Sequence, residues 1–180
     1  LGGALRRGGS SRDDGNGGLG RLAGNDNMGE GSGAVAWLVG HFAGTGKERV
    51  LQCWSNDGGL GMIVYGDDGH GGLEKLWATA HSGEGAGAVQ WLTGDFTGDG
   101  KTQVLQCWSN GGRLGLILWG DDGLDGFRKL WGSDDLGEGA GANAWFAGNF
   151  TGGTRDRIMQ LWGGDLHSIQ YGTLALDKSE

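Results

Sequence analysis

The stretch Trp91–Trp108, WLTGDFTGDGKTQVLQCW, occurs three times in this chain. Its copies are WLVGHFAGTGKERVLQCW at Trp37–Trp54 and WFAGNFTGGTRDRIMQLW at Trp145–Trp162, each displaced by 54 residues without a gap. A fixed period of this size marks a repeat architecture, in which one supersecondary unit hides its apolar faces against its neighbours. The flanking segments keep the same spacing. GEG recurs at Gly29–Gly31, Gly83–Gly85 and Gly137–Gly139, and DDG at Asp13–Gly15, Asp67–Gly69 and Asp121–Gly123. The 180 residues therefore read as one repeat domain. Residues 1–33 are a lead-in and closing strand, 34–87 the first repeat, 88–141 the second, and 142–180 an incomplete third.

In the central repeat, four runs with strand character are separated by Gly-rich turns: Ala88–Phe96, Gln103–Ser109, Leu114–Gly120 and Gly126–Gly132. Asn110-Gly111-Gly112 and Asp121-Asp122-Gly123 supply residues that tolerate positive φ, as hairpin turns require. No window keeps a helical period free of Gly. The expected fold is all-β, a β-propeller-like array of three four-stranded repeats. Gly17–Ala23 matches the fourth strand Gly71–Trp77, and Leu166–Tyr171 matches the third, so strand exchange between the termini is expected to complete the last unit. A β-trefoil, also three units of four strands, is the alternative. Propellers have about four to eight blades, so three units alone imply a homo-oligomer.

Composition narrows the function classes. Gly supplies 44 of the 180 residues, but nine Trp argue against a disordered chain. A net charge of −8 and a pI near 4.9 disfavour nucleic acid as a partner. No apolar run is long enough to cross a bilayer, so membrane insertion is not expected. The start at Leu1 suggests a processed or excised product. Cys53 and Cys107 occupy the same repeat position. Equivalent positions in adjacent repeats should lie too far apart for a disulfide, so both read as free thiols in the apolar core.

The segment GDFTGDGKTQVL resembles the FG-GAP or VCBS-type repeat of integrin-like β-propellers, whose signature is Phe-x-Gly-Asp-Gly with a calcium loop of form DxDxDGxxD. The resemblance implies calcium coordination, in the central repeat only, by Asp95, Thr97, Asp99, the Lys101 carbonyl and Gln103. The other copies depart from the loop, with His41, Ala43, Thr45 and Arg49 in the first and Asn149, Thr151, Gly153 and Arg157 in the third. Two carboxylates imply weak binding. The competing reading is a Gly-Asp turn satisfied by its own backbone. No other cofactor is expected. Gln52-Cys53-Trp54, Gln106-Cys107-Trp108 and Gln160-Leu161-Trp162 are similar to the QxW triplets of ricin-type β-trefoil lectins.

Catalysis finds little support. None of His41, His70, His81 and His167 recurs at its period-equivalent position, and no nucleophile elbow or metal-binding His spacing is present. Gly83, Gly85 and Ala88 satisfy a loose dinucleotide pattern but lead into a strand, not a helix, so phosphate binding is rejected. What recurs is aromatic and polar. Trp37, Trp91 and Trp145 are expected in the core between units. Trp54, Trp108 and Trp162 fall at strand ends, where a ring face can stay open. With Gln52, Gln106, Gln160, Glu84 and Glu138 they offer a sugar an aromatic plate beside groups that read hydroxyls. The expected function is a non-catalytic lectin, extracellular or secreted, whose repeated weak sites bind glycans or glycoproteins by avidity. The alternative is a structural or protein-adhesion module, possibly an accessory domain of a secreted hydrolase or toxin.

Overall fold

Two-residue turns set the strand pairing. Asp57 and Gly58 have φ of 50° and 84°, and Gly111 and Gly112 have φ of 59° and 90°. Positive φ at both central residues belongs to the type I′ turn, whose twist matches that of the strands it joins. In the computed structural model, which describes residues 24, 33–44, 46–163 and, as backbone, 167–171, every described strand lies in one of three antiparallel sheets. The first contains β1 (Ala34–Gly40), β2 (Arg49–Asn56), β3 (Gly59–Asp67) and β4 (Leu73–Thr79) in sequential order. The central sheet repeats this order with β5 (Gln90–Gly94), β6 (Gln103–Asn110), β7 (Arg113–Asp121) and β8 (Phe127–Ser133). The third contains β9 (Ala144–Gly148), β10 (Arg157–Trp162) and β11 (His167–Tyr171).

The all-β expectation holds, and three of the four strands read in the central repeat match to within one residue at each end. The first is shorter than expected. Ala88 and Val89 precede β5, and Phe96 follows it as a buried loop residue, because Asp95 draws the next amides into a turn. The expected closing strand Gly17–Ala23, and with it the terminal strand exchange, lies outside the described residues. Among those residues no strand of one sheet pairs with a strand of another. The closed barrel that a trefoil requires is therefore absent from them.

The core lies between sheets. One cluster joins Leu51, Cys53, Leu60, Met62 and Val64 of the first sheet to Val104, Ile117 and Trp119 of the central sheet. Another joins Leu105, Cys107, Leu114, Leu116 and Leu118 of the central sheet to Ile158 of the third. Alternate residues of β6 and β7 thus face opposite neighbours, and β7 is buried over Leu114–Gly120 without the alternation of a one-sided sheet. Across sheets, the first strands approach most closely, β1 to β5 and β5 to β9.

Trp91 and Trp145 pack against these clusters as expected. Trp37 does not. It is 55% exposed and stacks on Tyr65 at 6.2 Å, because no further sheet covers its face of the first sheet among the described residues.

Cys53 and Cys107 are buried and free, and burial pushes the Cys53 thiol up to about 12 and the Cys107 thiol higher than usual. A thiol that stays protonated is a poor nucleophile. Neither cysteine should react with a thiol reagent at pH 8 in the folded chain, and both should react once guanidinium unfolds it. A second prediction concerns Trp108, whose indole lies across its cross-strand partner Gly115 so closely that a Cβ there would sit 2.4 Å from Cε2. Gly115→Val should cost about 1–3 kcal/mol through overpacking, read as a lower urea midpoint at unchanged slope.

Candidate functional site

The β2, β6 and β10 strands carry Gln at the same position, and the alternation of side chains turns each inward. Gln106 is 1% exposed. Its Nε2 donates to the carbonyls of Gly85 (2.8 Å) and Gly87 (2.9 Å), in the segment joining β4 to β5. Its Oε1 accepts from Trp119 Nε1 at 3.1 Å. Gln52 Oε1 likewise accepts from the Tyr65 hydroxyl at 3.0 Å, and Gln160 Nε2 donates to the Gly139 carbonyl at 3.3 Å. Gln52, Gln106 and Gln160, expected to read sugar hydroxyls, are instead buried ties that fasten strands to one another and to the intersheet segments. A polar residue on an inward face reads the same in sequence whether it meets a ligand or a buried carbonyl. The signal for the tie was present in its partners, since Tyr65 and Trp119 occupy one repeat position and both carry a donor.

The intersheet segment is held by backbone bonds as well. Leu60 N donates to Glu84 O and Ala86 N to Gly58 O, and the next junction repeats this with Leu114, Glu138, Ala140 and Gly112. Between the fastened segment and β6–β7 lies a cavity of about 260 Å³, lined by Glu84, Gly85, Gly87, Gln106, Trp108 and Ile117. Three of the expected sugar-binding residues, Glu84, Gln106 and Trp108, therefore meet in one place. Trp108 and Ile117 supply apolar wall, and Glu84 is ion-paired with Lys129 at 2.5 Å. Lys129 was not anticipated from the sequence. The Trp108 Nε1 donor is buried without a hydrogen-bond partner, an uncommon state for a buried N–H. Glu138 is half-buried at the next junction, and Trp54 and Trp162 are half-buried at the ends of β2 and β10.

The expected calcium loop follows β5. Gly98 and Gly100, at φ of 75° and 79°, curl the backbone so that its amides converge on Asp95. Asp95 accepts from Gly98 N (2.6 Å), Asp99 N (3.2 Å) and Gly100 N (2.9 Å), through both carboxylate oxygens. Asp99 Oδ1 accepts from Lys101 N and from Gln103 Nε2, and that same Nε2 donates to the Lys101 carbonyl at 2.9 Å. Gln103 thus aims an N–H donor at two oxygens that were expected to coordinate calcium. Thr97 Oγ1 is buried without a partner, but one hydroxyl cannot supply the six to eight oxygens, roughly, that calcium takes. Among the described residues no three His, Cys, Asp or Glu converge as a metal site.

Asp95, Thr97, Asp99, Lys101 and Gln103 do not fit calcium as they stand. They form the self-satisfied Gly-Asp turn, with an amide in the cation's place.

The loop is anchored at its far end by Lys101, whose Nζ lies 2.5 Å from Asp121. Burial raises the Asp121 pKa, but the Lys101 bond and the Gly123 amide outweigh it and leave the carboxyl below its usual range. Lys101 is held above its ordinary value by the same bond. Both shifts favour the paired, charged forms at neutral pH.

No family model matches the chain, and no curated protein or solved structure is significantly similar to it.

If the Gln103 amide occupies the cation's place, millimolar calcium should leave the melting temperature of the natural sequence unchanged relative to chelator. Gln103→Glu removes the donor and brings a further carboxylate beside Asp99. That variant should be less stable in chelator and regain stability on adding calcium, as differential scanning fluorimetry would show.

Proposed function

We propose that the chain is a propeller-like stack of sheets that binds carbohydrate without catalysis, with the cavity at the first junction as its site. One observation carries this reading: Glu84, from the segment joining β4 to β5, lines the same cavity as Gln106 and Trp108 of β6. An indole beside a carboxylate matches the apolar face and hydroxyl rim of a sugar. The unpartnered Trp108 Nε1 adds a donor that a ligand oxygen can satisfy. Gln106 acts from behind, holding the Gly85 and Gly87 carbonyls that shape the opening.

The period places Glu138, Gln160 and Trp162 at the equivalent positions of the next junction. Two sites of one chemistry, each weak, gain by simultaneous engagement on a glycan-covered surface. Glycans or glycoproteins outside the cell are the partners this reading implies. The propeller-like arrangement is supported by the sequential strand order of each sheet and by the approach of first strands to first strands.

A second reading, a structural or adhesion platform, draws on the commitment of every repeated Gln to internal bonds. The two readings separate on a glycan array run with calcium and again with chelator. The lectin reading expects binding to one sugar class in both conditions. It also expects Trp108→Ala and Glu84→Gln to weaken that binding at least about tenfold, near 1.4 kcal/mol, while the far-ultraviolet spectrum stays unchanged. Absence of binding in both conditions would leave the platform reading ahead.

A further inference from the structure

The two internal junctions are built alike, and their halves recur unpaired at the two ends of the described array. Phe42 and Phe96, at one repeat position, are 2% and 4% exposed because each is covered by the following sheet. Their equivalent on the third sheet, Phe150, is 41% exposed. On the opposite face, Phe127 of the central sheet is 8% exposed and meets Phe42 edge-on at 5.1 Å. Its equivalent on the first sheet, Leu73, is 40% exposed, and Trp37 on the opposite edge strand of that sheet is open as well. Each end thus carries the apolar half of the contact that Phe42 and Phe127 make at the first junction.

The polar part of the junction is divided in the same way. At the first junction His41 N donates to Thr102 Oγ1 at 3.0 Å while Thr102 N donates to His41 O at 3.1 Å. At the second, Asp95 N donates to Asp156 Oδ2 at 2.8 Å while Asp156 N donates to Asp95 O at 2.8 Å. The next pair in this series is Asn149 on the third sheet and Glu48 on the first, by the 54-residue period. Glu48 keeps a side-chain acceptor, as Thr102 and Asp156 do, and it is 63% exposed.

We infer that a second copy of this chain docks the outer face of its first sheet on the outer face of the third, with Phe150 against Leu73 and Asn149 N–H on Glu48. The contact joins unlike faces, so it either closes a ring or propagates into a filament. The number of copies rests on the propeller-like reading proposed above. Rings of about four to eight blades admit only one multiple of three sheets, namely six, so two copies close the ring.

Light scattering during gel filtration tests this independently of any sugar. The natural chain should elute at twice its 18.7 kDa. Trp37→Glu and Phe150→Glu, both at exposed positions, should each elute at the mass of one chain, with the near-ultraviolet signal of the internal Trp retained. An equimolar mixture should regain the double mass, because one of its two contacts joins unaltered faces. A natural chain of single mass, or one whose mass climbs with concentration past two copies, would overturn the ring. So would either variant keeping the double mass alone, since that outcome belongs to contacts between like faces. Sugar binding by a chain of single mass would sink the ring and leave the proposed site standing, whereas a double mass without sugar binding would do the reverse.

Discussion

The central sheet has no outside. Side chains on both faces of β6 and β7 are apolar, so the sheet is stable only with a neighbour on either side, and the two core clusters supply those neighbours. This constraint sets the rest. Strands can be short because stability comes from face-to-face burial, not from long ladders. Turns must be tight because consecutive strands lie adjacent, and tight turns of the primed type need Gly or Asp at positive φ. The high Gly content follows from that geometry.

Burying both faces also creates a polar problem that the repeated Gln solves. Gln106 is itself buried, and a buried side-chain amide left without partners is costly, so the segments between sheets bring carbonyls to it. One side-chain amide answers two of them at Gly85 and Gly87 and receives the indole N–H of Trp119 in return. The Gly-Asp loop uses the same economy, with Asp95 collecting three backbone amides and Gln103 bridging the loop's acceptors. Ion pairs such as Lys101–Asp121 add orientation at the rim, where solvent keeps their energetic contribution small.

The period made the strands, the hairpins and the free thiols legible, because those depend on local residue types that recur. Trp37 shows the limit. It has the sequence context of Trp91 and Trp145, yet its exposure depends on whether a sheet lies beyond it, which no local pattern encodes. Gln106 shows a different limit, since alternation fixes the direction of a side chain but not the chemistry it meets. At the candidate site, Glu84 and Trp108 were legible as repeated groups. Their convergence in one cavity was not, nor was the pairing of Glu84 with Lys129, since both arise from the packing of one sheet on the next.

The two cysteines have a consequence for where such a chain can be made. They sit on different sheets, each enclosed by aliphatic neighbours and protonated, and no cross-link between them contributes to the architecture. Oxidant and reductant therefore act on nothing that holds the sheets together. Folding is indifferent to redox potential, and the same array can assemble in a reducing or an oxidising compartment without an isomerase to pair its thiols.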